Sequence, residues 1–289
     1  MTHSPLRNDA DPEWRAMHRA AEAQEAEVSR LLATAFAALA ARTVLLRIRS
    51  ALRFGNVDQA MQAVPVGNLL LLRAALQDAI LATAQAGSRV AMQAQAVVRL
   101  GPGSLLNADI AFWARTHSAG LVVGITEQTR QALRRTIARA IQDGLSPTAT
   151  AKLVEAVVGL NKVQADAVMN RAEELLERGV AAAKREATLA RYAAQLRRQR
   201  ARVIARHELM QAANEGRRAV WEREVRDGLI SPDRWEREWA AVTHDNRTCK
   251  YCLDADGTRA PIHGAYPNGS DGPPGHVLCR CTENLVRVA

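Results

Sequence analysis

The sequence predicts a mainly α-helical protein that ends in a small C-terminal α/β module, and three observations carry that prediction. Apolar residues fill 48% of the 289 positions but aromatic ones only 4%, so the core must be built from Ala, Leu, Val and Ile, as where helix packs on helix. Apolar residues recur at intervals of three and four through most of the first 226 positions. At Asp227-Gly228 the character changes: the rest is rich in Gly, Pro, Asp and Asn and holds every cysteine, from Cys249 to Cys281. The organisation expected is an N-terminal helical region over 1–104, a central helical domain with a long basic helix over 105–226, and a C-terminal Cys/His module over 227–289.

Taken in order, residues 11–55 are helical in type, with Trp14, Met17, Ala21, Val28, Leu31, Leu32 and Phe36 at helical spacing. A second block runs from 57 to about 100, interrupted near Pro65 and Gly67 and closed by Gly101-Pro102-Gly103. Its segment 68–72 is apolar nearly all round, which predicts burial. Residues 107–115 read as a short helix carrying Phe112 and Trp113, and 118–124 as a loop. Thr126 is the expected N-cap of the next helix, with Glu127 in its first turn and Asp143-Gly144 as its stop. Ser146-Pro147 opens another, with proline at the tolerated first-turn position, and Leu153, Ala156, Val157 and Leu160 form its face. Residues 163–178 supply one more helix before the long basic helix over 180–224, in which Gly216 is the candidate break. Strand-like runs follow at 237–242, 259–262 and 284–288. Trp221, Trp235 and Trp239 mark a local core where that helix meets the module. No fixed repeat period is present.

The net charge of +9 favours an acidic partner, nucleic acid or protein. Between Lys184 and Arg226 twelve basic residues stand against five acidic ones, so much of the excess charge sits on one helix. Arg198, Arg202 and Arg206 at four-residue spacing form a stripe, with Arg197 beside it. It reads either as a contact for duplex-DNA phosphates or an acidic protein surface, or as a solvated helix face. No aromatic platform accompanies it, which argues against single-strand recognition. No apolar run reaches the ~18 residues of a membrane span, and the first twenty residues are polar and mixed in charge, so a chain made and kept in the cytosol is expected.

In that compartment clustered cysteines suggest metal ligation before disulfides. Cys249 and Cys252, two residues apart, can reach one ion from a tight turn, and Cys279 with Cys281 can close a tetrahedral site, His276 being able to replace either of the last pair. Zinc as a structural staple suits a module of about sixty residues with few large apolar side chains. A reduced cysteine cluster, or disulfides formed later, is the alternative. Asp254, Asp256 and Gly257 lack the later ligands of a calcium loop and read as a turn. His207-Glu208 is not half of a zinc-protease motif, because position 211 is Gln. His244 and His263 are lone histidines, each read as a surface or turn residue before a ligand.

The module, with Asp245, Arg247, Thr248, Cys249 and Cys252, then Asp256-Gly257, Pro273-Pro274, His276 and Cys279-Arg280-Cys281, resembles the closing module of phage Mu F-like head morphogenesis proteins. Upstream, the run from Arg200 through Ile204, Arg206 and Glu208, with Asn214 and Gly216 following, resembles a helix of the same family, His207 standing where threonine is usual. The resemblance implies a virion assembly protein, not an enzyme: a minor head component near the portal vertex, inside the head, engaged in procapsid assembly and DNA packaging or ejection. The portal protein, scaffold or major capsid protein, and packaged double-stranded DNA are the partners it implies. Within the family-like helix, Glu208 is expected to pair with Arg206. The competing reading is a metal-dependent nuclease using His244, Asp245 and His276, although four cysteines predict a closed metal site and not an open one. A DNA-binding regulator is weaker still, lacking a recognition-helix motif.

Overall fold

The computed structural model describes residues 12–94, 105–243 and 247–288. Helices α1 (Pro12–Ala41), α2 (Leu45–Arg53) and α3 (Val57–Gln62) lead through a 3-10 helix (Val66–Leu72) to α4 (Arg73–Ala94). Next come α5 (Leu105–Gln142), α6 (Pro147–Val157), α7 (Lys162–Glu177) and α8 (Ala182–Arg226). Strand β1 (Trp235–Ala240), the short helix α9 (Lys250–Ala255), β2 (Arg259–Pro261) and β3 (Thr282–Arg287) close the chain. The mainly helical fold with a small terminal sheet is as the composition predicts. The expected turn at Gly101-Pro102-Gly103 lies outside the described residues.

Helix ends follow local chemistry. Ser146 accepts a hydrogen bond from Ala149 N at the start of α6, and Asn161 forms a capping box with Gln164 at the start of α7. Gly144 ends α5 at φ +66°, a conformation that favours glycine. Two expectations fail in α5. It is one continuous helix of 38 residues and not a short helix, a loop and a second helix. Thr126 does not cap it: its buried hydroxyl donates to Val122 O, four residues back, as those of Thr129 and Thr136 do to Ile125 O and Ala132 O. Gly120 and Gly124 are exposed with open space around them, so they weaken the helix without ending it. The segment 68–72 also departs from expectation. A 3-10 helix repeats every three residues, so Val66, Leu69 and Leu72 are buried while Leu70 and Leu71 face outward.

The chain divides into two compact units, each assembled from separated segments. The divisions fall inside α1, α4, α5 and α8, not near 104 or 226. The first unit takes Met1–Glu27, Leu76–His117 and Val203–Ala289. Within it α4 and α8 cross at very short range. A Cβ on Gly216 would lie 1.8 Å from Ala84 O, and one on Gly87 would lie 2.0 Å from Ala213 O. Gly216 therefore does not break α8; it admits the backbone of α4. The helical stretch Val57–Ala94 is long and apolar enough by length and composition to cross a membrane, but α4 buries Leu76, Ile80, Ala84, Gly87 and Ala91, the pattern of a core helix.

The second unit takes Val28–Ala75 and Ser118–Arg202. Two arginines of α8 are buried in it. Arg197 donates to the carbonyls of Glu155, Ala156 and Val158, which end α6 and would otherwise lack partners. Arg200 donates to Gly159 O at 3.0 Å, Thr129 Oγ1 at 3.1 Å and Gln128 Oε1 at 3.0 Å, with its guanidinium 5.0 Å from the Phe36 ring centroid. Burial holds its pKa down to about 10, so it remains charged and is stabilised by carbonyl dipoles.

Candidate metal centre

Strand β1 is the centre of a three-stranded antiparallel sheet in the order β2-β1-β3, with Trp239 opposite Glu283 and Arg237 opposite Leu285. Alternation along β1 buries Arg237 and Trp239, two residues apart on one face. The β1–β2 connection closes on a turn in which Asp256 Oδ1 accepts from Ala241 N at 2.8 Å and Gly257, at φ +73°, donates to Trp239 O. This is the turn expected of Asp256-Gly257. Trp239, Ala241, Cys252, Ala255, Ala260, Tyr266, Cys279 and Cys281 pack as one buried cluster beside the sheet.

The five predicted ligands come together there. Cys249 precedes α9 and Cys252 lies in its first turn, so the two sulfurs face the same way. His276 Nε2 is 3.1 Å from Cys249 Sγ and 3.0 Å from Cys252 Sγ, and Cys252 Sγ is 3.6 Å from Cys279 Sγ. Two triads result, Cys249–Cys252–His276 and Cys252–Cys279–Cys281, each with ligand atoms within 4.8 Å of one another and both sharing Cys252. A tetrahedral zinc with ordinary bond lengths would set sulfur–sulfur edges near ~3.8 Å and sulfur–nitrogen edges near ~3.6 Å. The Cys252–Cys279 separation matches such an edge, the two His276 separations are shorter, and the two triads meet at Cys252. His276 Nδ1 lies 2.7 Å from Val277 O, which turns Nε2 toward the sulfurs, as a ligating imidazole requires. All four cysteines are free thiols here, Cys249 exposed and the others buried. Hydrogen bonding with Cys252 and Cys281 pulls the Cys279 thiol well below its usual range, while hydrogen bonding with Cys279 pushes Cys252 up.

Backbone carbonyls tie the cluster to helices of the same unit. His18 of α1, buried with its ring centroid 3.9 Å from that of Trp14 at a tilt of 32°, places Nε2 3.0 Å from Arg280 O. Burial pulls its pKa down, favouring the neutral ring. Asn214 Nδ2 of α8 donates to Cys281 O at 3.3 Å. Arg280 also donates from Nη2 to Thr248 Oγ1 at 3.4 Å.

Beside the cysteines lies a charge network that sequence reasoning did not foresee. Glu283 is fully buried; its Oε1 accepts from Arg218 Nε and Nη2 at 3.1 Å, and its Oε2 from Arg237 Nη1 at 2.9 Å and Tyr266 Oη at 3.0 Å. Arg237 also donates to Asp271 O, Pro261 O and Gly264 O. Burial and the Glu283 charge push the Tyr266 phenol well above its usual range. The available signal was Trp235-Glu-Arg237-Glu-Trp239, which puts an arginine on the same strand face as two tryptophans. Trp221 and Trp239 are both buried, as expected of a local core.

Other predicted residues divide. Glu208 does not pair with Arg206; its Oε2 is 2.6 Å from His117 Nε2, an α5 residue stacked on Trp113. Arg197 is withdrawn from any surface stripe by its burial at the end of α6, whereas Arg198 and Arg202 are exposed and Arg206 half-buried. Arg247 is exposed in the turn before Cys249, and His263 is exposed. His244 and Asp245, on which the nuclease alternative rests, lie outside the described residues.

Comparison with known proteins adds one finding. The family model described as Phage Mu protein F like protein matches residues 131–283, more than half of the chain. No curated protein and no solved structure was found to match it.

Proposed function

The chain belongs to the phage Mu protein F like family, and on that premise we propose that it is a minor head protein of a tailed bacteriophage, acting near the portal vertex in procapsid assembly and in DNA packaging or ejection, and not an enzyme. Membership makes it a phage head morphogenesis protein and a virion component that assembles with other phage structural proteins. The observation that carries the reading is the extent of the match, which runs from within α5 to β3 and takes in all five Cys/His residues. Within the proposal, the protein is made in the host cytoplasm and sits inside the head. The portal is its main partner, with scaffold or major capsid protein as further contacts.

Zinc at the Cys/His cluster acts as a staple that supplies folding free energy to a module with a small core. Exposed Arg198 and Arg202 of α8 face packaged duplex DNA or an acidic portal surface.

The test is to tag the protein in its native phage, purify procapsids and mature particles, crosslink them and quantify it by mass spectrometry against the portal subunit. Low-copy recovery with the portal as the main crosslinked partner is expected. Absence from every particle form overturns the reading.

A further inference from the structure

One buried hydrogen-bond donor beside the cysteines has nothing ordinary to donate to. Trp239 lies on the buried face of β1, 1% exposed, in the same cluster as Cys252, Cys279 and Cys281. Its neighbours hold the ring in one orientation. Tyr266 and Tyr251 meet it edge-on, with ring centroids 5.2 Å and 6.3 Å away, and Gly275 packs so close to the outer edge of the indole that a Cβ there would lie 2.9 Å from Trp239 Cη2. A buried indole N–H ordinarily finds an acceptor, and one that does not calls for an explanation at the site it faces. Among the described residues no nitrogen or oxygen receives the hydrogen of Trp239 Nε1.

The group it reaches is the sulfur of Cys281, whose thiolate form it favours. Strand pairing accounts for the meeting. Trp239 stands opposite Glu283, and Cys281 is two residues before Glu283, so alternation puts the cysteine on the same face as a diagonal neighbour within reach of a large aromatic side chain. A thiol is a weak acceptor, whereas a metal-bound thiolate carries charge and accepts strongly. The unsatisfied donor is therefore matched to Cys281 as a ligand, in line with the grouping of Cys252, Cys279 and Cys281 within 4.8 Å of one another. The neighbouring sulfur is served in the same manner, with Cys281 N donating to Cys279 Sγ at 3.4 Å. N–H groups directed at sulfur are the outer support that tunes metal–thiolate sites.

We propose that Trp239 is a positioning residue of the metal site: its indole N–H donates to the sulfur of Cys281, which binds the metal as a thiolate together with Cys252 and Cys279. This rests on the zinc reading above and deepens it, by giving the central strand of the sheet a direct hold on one ligand.

The test uses purified full-length protein with isotope-labelled indoles, loaded with NMR-active cadmium(II) as the zinc surrogate and checked for metal content. Of the five tryptophan indoles, one is expected to show scalar coupling to cadmium across the N–H···S bond and to move downfield on loading. Replacing Trp239 by benzothienylalanine, which keeps the shape of the ring system and lacks the N–H, should remove that signal and weaken zinc binding by about tenfold to 100-fold. Bound cadmium with no coupled indole, or a coupled signal that survives the replacement, overturns the proposal and leaves the zinc staple standing. A replaced protein that binds zinc as tightly as the parent also overturns it. A protein that takes up no metal overturns the staple and this inference with it. The coupling measurement on the parent needs no variant to fold.

Discussion

Substituting Gly216 by alanine tests the crossing of α4 and α8 directly. The new methyl carbon would lie 1.8 Å from Ala84 O, 2.5 Å from Ala84 C and 2.8 Å from Ala84 Cα, whereas real contacts of this kind stay beyond 3.0 Å. The obstacle is backbone, so no side chain can swing away. The same two backbones meet again where Gly87 faces Ala213 O at a Cβ distance of 2.0 Å, so a retreat at one point opens the other. Overpacking a tight core costs about 1–3 kcal/mol, and a backbone obstacle belongs at the upper end. Against this stands a gain of about 1 kcal/mol from replacing glycine by alanine inside a helix. The net expectation is a loss of about 2 kcal/mol, or roughly 4–8 °C in melting temperature at about 2–4 °C per kcal/mol. Gly124→Ala, in α5 with nothing within 4 Å of its Cβ position, is the matched control and should gain about 0.5–1 kcal/mol. Urea denaturation followed by far-ultraviolet circular dichroism measures both, with hydrogen exchange of the α4 amides locating the damage. A Gly216→Ala protein as stable as the parent, or one that gains like the control, would refute the close-crossing argument.

Other expectations follow from the first unit and the basic helix. Glu283→Gln removes the charge shared by Arg218 and Arg237 in a fully buried setting, and a loss of about 3–5 kcal/mol is expected in denaturant titration; a loss below about 1 kcal/mol counts against the network. Glu224 is fully buried, and desolvation raises its pKa from 4.5 to about 7. The native state therefore holds its proton longer than the unfolded chain, and stability falls as pH rises from about 4.5 through 7. Glu224→Gln should flatten that part of the stability profile, and an unchanged slope argues against this origin. Arg198→Gln with Arg202→Gln should lower the salt dependence of duplex-DNA binding by up to about two in log–log slope, near 0.9 per phosphate contact, as read by filter binding; a parent protein without salt-dependent binding removes DNA as a partner of this face.

Much of the architecture was legible because its signals are local. Ser146-Pro147, Asp143-Gly144 and Asp256-Gly257 announce their caps and turns through chemistry within four residues, and the Cys/His spacing brought five donors to one place. What escaped depends on distant partners. Whether Gly216 breaks a helix or admits one is decided by Ala84, and Glu208 finds His117, ninety-one residues away in sequence, rather than Arg206. In α5, two glycines beside Val122-Val123 imitate a loop, but burial of Val122, Ile125, Leu133 and Ile137 holds the helix through them. Arg197 is expected beside the surface stripe, yet with Arg200 it flanks the buried stripe of Ala193, Leu196, Ala201 and Ala205, so helical phase already pointed both inward.

The pairing of Glu283 with Trp239 across β1 and β3 reaches beyond the sheet. Cys281 is the residue before β3, so the placement of the Cys279-Arg280-Cys281 run is inherited from strand register. A slip of one residue would carry that run about 3.3 Å along the sheet and turn Glu283 to the opposite face, away from both arginines. That displacement exceeds a zinc–sulfur bond of about 2.3 Å, so under the zinc proposal a mispaired strand could not complete the coordination. Metal content would then serve as a proofreading signal, since only a protein whose last strand had paired correctly would load fully.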